Sequence, residues 1–191
     1  LIESNHLKEA SKILEQYLPG PSEEDLRNFP WYHLWGICRY QPEAWPGHSD
    51  SSSKSVFHIE ISPKGDMLAS CGEDGTVRLW DFKLGRLIRT LRGHVGDVNA
   101  AAFSPDGSKL ATGGDDGAVR LWTLPEGRDP ITLGKHDGWI NCVLMTPDGK
   151  QVISGARDGH VKLWDVERKA LSASFHARSG WIESMALSKD G

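Results

Sequence analysis

The chain repeats itself every 42 residues. Ser62-Pro63-Lys64-Gly65, Ser104-Pro105-Asp106-Gly107, Thr146-Pro147-Asp148-Gly149 and Ser188-Lys189-Asp190-Gly191 recur at that step. Asp74-Gly75, Asp116-Gly117 and Asp158-Gly159 keep it, as do Trp80, Trp122 and Trp164. Three independent markers share one period with no insertion between them. A period of this size marks an array of one supersecondary unit, stable only when neighbouring units cover each other's apolar faces.

Each unit reads as four strands. Val56, Ile59 and Ile61 are the apolar positions of a first strand, ended by the Ser62–Gly65 turn. There Pro presets the turn φ and Gly supplies a positive one. Leu68 to Cys71 is a short second strand, stopped by Glu73-Asp74-Gly75. Thr76 to Trp80 alternates Val77 and Leu79 against polar Thr76 and Arg78, an alternation that Trp80 breaks; Asp-Gly between two such runs signals a hairpin. Leu87 to Leu91 is the fourth strand, closed by Gly93-His94. Val98, Ala101 and Phe103 correspond to Ile140, Val143 and Met145, then to Ile182, Met185 and Leu187. Stacked units are expected to bury these rows against the next unit.

Composition excludes several classes. The 191 residues are 38% hydrophobic and 25% charged, the balance of an ordinary globular chain. A net charge of −4 lacks the basic footprint of a nucleic-acid binder. Cys38, Cys71 and Cys142 form no Cys-x-x-Cys pair, so neither a zinc site nor a disulfide framework is indicated, and no cofactor is implied. No apolar run reaches the ~18 residues of a membrane span, and no signal-peptide pattern opens the chain. The first residue is Leu, and the last follows a turn that leads into another strand, so the sequence reads as a piece of a longer protein.

These residues resemble the WD-repeat β-propeller family from about Gly47 to Gly191. Gly93-His94 is similar to the pair that opens a family repeat, and Leu79-Trp80-Asp81 and Leu163-Trp164-Asp165 to its closing Trp-Asp. The resemblance implies an all-β fold: a partial propeller of three full blades plus the first strand of a fourth, after a short N-terminal α-helical segment. The blades fall at about 53–94, 95–136, 137–178 and, incomplete, 179–191. It also implies a hydrogen-bonded His, Asp, Ser/Thr and Trp set per blade. The matching residues are His94, Asp116, Thr112 and Trp122, then His136, Asp158, Ser154 and Trp164. The first blade has Ser70, Asp74 and Trp80, but Ser52 stands where His is due; His48 serves if four extra residues loop out. Thr123 follows Trp122, Gly134-Lys135-His136 stretches the Gly-His pair, and Arg178 replaces the fourth His, with His176 two places early. That last set is expected to be incomplete or rearranged.

Asp, His and Ser or Thr together also invite a hydrolase reading, but a triad needs an exposed nucleophile beside an oxyanion hole. The same three types recurring at the period with a Trp fit a buried network that locks the blade. An enzyme using a central channel is the weaker alternative, since His58 and His160 stand isolated and solvated in this reading. The family resemblance brings the loops beside Gly-His and Asp-Gly to one rim. Asp97, Trp139 and Trp181 share one column there; Glu73, Asp115 and Arg157 share another; Asn99, Asn141 and Glu183 share a third. The framework does not dictate residues that vary between equivalent places. Two Trp beside charges resemble a hot spot for a protein or peptide; alternatively, each Trp covers the edge of a neighbouring blade. The leading expectation is a non-catalytic interaction scaffold, with remaining blades supplied by the parent protein. The other alternative is a self-associating structural array.

Residues 1–40 carry no repeat and read as helical. Leu7, Ala10, Ile13, Leu14, Tyr17 and Leu18 form one apolar stripe, and Pro19-Gly20-Pro21 ends it. Ser22 with Asp25 resembles a capping box, and Pro30 opens a further helix with Trp31, Leu34, Trp35 and Cys38 on one face. Residues 25–35 also resemble a segment of large bacterial proteins in which a serine/threonine kinase domain precedes a WD-repeat propeller. The chain itself has no Gly-rich phosphate loop, His-Arg-Asp or Asp-Phe-Gly. Arg39 to Trp45 has the look of an edge strand, with Pro42 inside it.

Overall fold

The computed structural model describes residues 47–48, 55–127, 129–177 and 180–188. The chain divides into two compact units, Leu1–Ala44 and Trp45–Gly191, and the described residues lie in the second. The expected N-terminal helices, the Arg39–Trp45 strand, Ser52 and Arg178 fall outside them. The described residues hold twelve strands and no helix. The first sheet is β1 (Val56–Ile61), β2 (Met67–Gly72), β3 (Thr76–Asp81) and β4 (Arg86–Arg92). The second is β5 (Val98–Phe103), β6 (Lys109–Gly114), β7 (Ala118–Thr123) and β8 (Ile131–Lys135). The third is β9 (Ile140–Met145), β10 (Gln151–Ala156), β11 (His160–Asp165) and β12 (Ala170–His176). Each is an antiparallel meander in chain order, and the innermost strands β1, β5 and β9 run side by side.

The turns that set the period repeat bond for bond. Gly65, Gly107 and Gly149 each donate their N–H to the carbonyl three residues back, at 2.8 Å in all three. The hydroxyls of Ser104 and Thr146 donate to Asp106 and Asp148, both at 2.6 Å. Lys64 interrupts this pattern, and Asp66, two places later, accepts the Ser62 hydroxyl at 2.7 Å instead.

Packing between sheets explains two irregularities of the pattern. β5 shifts register between Val98 and Ala100, a bulge that puts Val98 on the same face as Ala101 and Phe103. That face meets Ala69, Cys71, Val77, Leu79 and Leu91 of the first sheet. The row therefore faces the preceding unit, not the next one. Ala100, Ala102, Val119, Leu121 and Leu133 cover the other face, against Ile140, Val143 and Val152 of the third sheet. Trp122 packs into the first of these cores and Trp164 into the second, so each Trp lies on the face toward the preceding sheet. Trp80 thus keeps the period of two along β3. It breaks only the polarity, because Thr76 and Arg78 on its face are themselves buried.

The outermost faces show what stacking does. Val98, Ala101 and Phe103 are at most 6% exposed, whereas their equivalents Val56, Ile59 and Ile61 are 45%, 59% and 48% exposed. On the other flank Leu133 is buried and its equivalent Phe175 is exposed. Chemistry is constant along each column, and coverage by a neighbour decides burial.

Candidate functional site

Each sheet carries a relay of four side chains. In the second, the Trp122 indole N–H donates to Thr112 Oγ1 at 2.9 Å. Thr112 Oγ1 lies 2.8 Å from His94 Nε2, and His94 Nδ1 lies 2.9 Å from Asp116 Oδ1. The direction follows from chemistry. An indole only donates, so the hydroxyl accepts from it and can give its own hydrogen to Nε2, while Nδ1 faces both the Asp116 carboxylate and, at 2.8 Å, the Arg120 guanidinium. In the third sheet Trp164 donates to Ser154 at 2.7 Å, Ser154 meets His136 at 2.7 Å, and His136 meets Asp158 at 2.9 Å. In the first, Trp80 donates to Ser70 at 3.0 Å and His48 joins Ser70 at 2.9 Å and Asp74 at 2.8 Å. His48 thus stands four residues out of period, buried in a space that Gly72 leaves: a Cβ there would lie 2.2 Å from His48 Nδ1.

Burial depresses the proton affinity of His94 and His136, outweighing the carboxylates that pull it upward. Arg120 donates to Asp116 Oδ2 at 2.7 Å, and its charge adds to the depression at His94. Burial works to raise Asp116, yet the bond and charge of His94 and the backbone N–H groups of Ala118 and Val95 hold it below its ordinary value. Asp74 and Asp158 are likewise lowered against the pull of burial, by bonds from Thr76 and His48 and from the His160 backbone and His136. The relays of the second and third sheets therefore hold a neutral imidazole against an ionised carboxylate. Their hydroxyls are buried and occupied on both sides, so none is free to attack a substrate. Cys71 is buried, and desolvation pushes the Cys142 thiol up to about 11, which keeps it out of nucleophilic chemistry at neutral pH.

The rim columns converge on a second place. Asp115 and Arg157 donate their backbone N–H to Asp97 and Trp139 at 2.9 and 2.8 Å, which ties two columns together. A cavity of about 300 Å³ is lined by Asp97, Asp115, Trp139, Arg157 and Glu183. Asn99, Asn141 and Phe57 complete its wall. The Arg157 guanidinium sits 4.4 Å from the Trp139 ring centre and 4.7 Å from that of Trp181, a cation held between two indoles. Asn141 accepts from Arg157 Nε at 3.3 Å and donates to the carbonyl of Ile182 at 3.0 Å. Asn99 donates to Asp115 at 2.9 Å and to the carbonyl of Ile140 at 3.0 Å. The two amides thus bridge successive repeats, and the Asn99 N–H₂ is occupied on both hydrogens. Burial, then the charges of Asp115 and Glu73, raise the Asp97 carboxyl above its ordinary value.

Glu73 and Trp181 do not line the cavity, although both stand at its columns. Phe57 does, and column reading missed it, although it lies 42 residues before Asn99 and opens the third column. His160 is not isolated: it packs edge-on against His176, ring centres 4.7 Å apart, and its backbone N–H donates to Asp158. His176 is therefore engaged within the third sheet. His58 lies 3.8 Å from Glu60.

Residues 40–81, 85–123 and 127–165 match the WD domain, G-beta repeat family. The chain is 39% identical over 56 residues to the Lissencephaly-1 homolog of Caenorhabditis briggsae, a stretch covering 29% of this chain and 13% of that protein. It is 41% identical over 51 residues to Proteasomal ATPase-associated factor 1 of Homo sapiens, covering 27% and 13% respectively. It is 38% identical over 72 residues to Ribosome biogenesis protein BOP1 of Rattus norvegicus, covering 38% and 8%. Each match spans only a small part of the relative's length. The three family matches together take in more than half of the sequence, and each ends on the strand that carries a buried Trp, Trp80 in β3, Trp122 in β7 and Trp164 in β11. The chain belongs to the WD domain, G-beta repeat family.

Proposed function

We propose that this chain is a non-catalytic interaction scaffold whose rim binds a protein or peptide, within a larger regulatory protein that supplies further blades. One observation carries the reading. The relay is the same in all three sheets, while the columns that differ converge on one open cavity with two exposed indoles beside it. On this reading the relays lock the blades and leave the rim free to vary. WD-repeat relatives with names drawn from nuclear distribution and ribosome biogenesis suit such a role. The likeness of residues 25–35 to bacterial kinase-linked proteins supports a signalling parent. It rests on those residues alone, since the relatives named here are eukaryotic. Sequence flanking this chain tests that part directly.

The experiment for the rim pairs Trp139→Ala with Trp181→Ala. Partner capture should drop while far-UV circular dichroism and the melting temperature hold. Capture that persists at full strength overturns the rim. A second reading, self-association, draws on the exposed Val56, Ile59 and Ile61 row, which in the next sheet is an interface. Sedimentation velocity across a concentration series separates the two: a concentration-dependent oligomer that survives the Trp pair favours the array.

A further inference from the structure

We propose that the rim cavity takes the guanidinium of an arginine from a basic peptide segment of a partner, seated against Trp139 and between the carboxylates of Asp97, Asp115 and Glu183. This rests on the rim reading and names the chemistry that the rim selects.

The repeat itself supplies the precedent. A step of 42 residues carries Asp97 onto Trp139, Asp115 onto Arg157 and Trp139 onto Trp181. One junction onward, the middle position is a guanidinium, and it lies over both flanking indoles at 4.4 and 4.7 Å. At the cavity, the position corresponding to that guanidinium is the carboxylate of Asp115. Trp139 therefore stands to Asp115 as Trp181 stands to Arg157, with an acid where the cation was. Arg157 of the following blade already lies over Trp139, but where the repeat would set a second cation beside it the chain has the Asp115 carboxylate.

Charge complementarity points the same way. Among the described residues no Lys, Arg or His nitrogen lies within ion-pair distance of Asp97, Asp115 or Glu183. Arg157 lines the same cavity, but two indoles and the Asn141 carbonyl oxygen hold it in place. Three carboxylates against one fixed guanidinium leave the space acidic. Burial, then the charges of Asp115 and Glu73, raises Asp97, and a guest cation would relieve the part that comes from charge. At about 300 Å³ the space is at the small end of ligand clefts, the size for one side chain rather than a folded element. A planar guanidinium stacks on an indole and pairs with carboxylates at its edge, which an ammonium does less well.

The test is selection of random seven-residue peptides displayed against the 191-residue chain, followed by titration of the enriched peptides. Enriched sequences should share an arginine, and replacing it with citrulline should abolish binding, with lysine intermediate. The Asp97→Asn/Asp115→Asn pair, which keeps an oxygen to accept from Asn99, should weaken affinity about tenfold or more and flatten its salt dependence. No enrichment, enriched peptides without a basic residue, or equal binding by the Asn pair overturns the inference. If the Trp139/Trp181 variant still loses such uncharged peptides, the rim survives and only the cation preference falls.

Discussion

Asn99 donates a side-chain N–H to the backbone carbonyl of Ile140, 41 residues later, at 3.0 Å. Asn141 repeats the bond to Ile182 at the same distance. The first joins the inner strands β5 and β9, and the second joins β9 to the segment that follows the third sheet, which is not the strand expected to open a fourth blade. Asn99→Ala should cost about 1–3 kcal/mol, because the Ile140 carbonyl loses its side-chain donor at a packed junction. Asn99→Asp should cost more, since it turns a carboxylate oxygen toward that carbonyl. Urea unfolding monitored by circular dichroism gives both values.

Thr112→Val should destabilise by about 1–3 kcal/mol, since it leaves the Trp122 N–H and His94 Nε2 without partners in a buried site. Thr112→Ser should be nearly silent, because Ser70 and Ser154 play the same part in the other sheets. Asp116→Ala should fall in the range of Thr112→Val. Comparing midpoints of the three variants separates loss of the hydroxyl from loss of bulk.

Acid should lower the protein's stability across two pH windows. His94 and His136 bind protons less readily folded than unfolded, so the unfolded chain takes up more protons as pH falls below their ordinary value of 6.5. Stability is full above that value and declines beneath it. Asp74, Asp116 and Asp158 are lowered from 3.8, so their share is full above that pH and is lost as pH falls further. Urea midpoints measured from pH 8 to pH 3 should drop across both windows. A midpoint that rises between pH 7 and pH 5 would contradict the neutral imidazoles.

Lys169→Gly should stabilise the third sheet by roughly 0.5–1 kcal/mol. Lys169 has φ +56°, in the left-handed region, where its equivalents Gly85 and Gly127 have φ +62° and +54°. The reverse exchange, Gly127→Ala, should destabilise, because its Cβ would lie 2.2 Å from Leu91 Cδ2. Thermal melts of the two variants should therefore shift in opposite directions.

Much of this architecture was legible because the sequence counts in a fixed step. The turns and the four strands of each unit fall out of that count, and the relay partners His94 and His136 come from the family resemblance laid over it. What the count could not deliver has local causes. His48 lies four residues out of step, and only its fit beside Gly72 identifies it. Asp66 replaces an acid that Lys64 displaced, a compensation visible only as a bond. The facing direction of the Val98 row depends on a bulge that no composition announces. At the rim, the columns could not show that Asn99 bridges repeats or that Arg157 is stacked between indoles.

The one-way order of the third relay has a spectroscopic consequence. An indole that can only give, a hydroxyl that passes the bond along and a carboxylate at the end leave His136 with a sheltered Nδ1 proton. Such a proton should resonate far downfield and exchange slowly with solvent once the sheet has assembled. Its peak would report whether that module of a given sample has closed, without labelling a single residue.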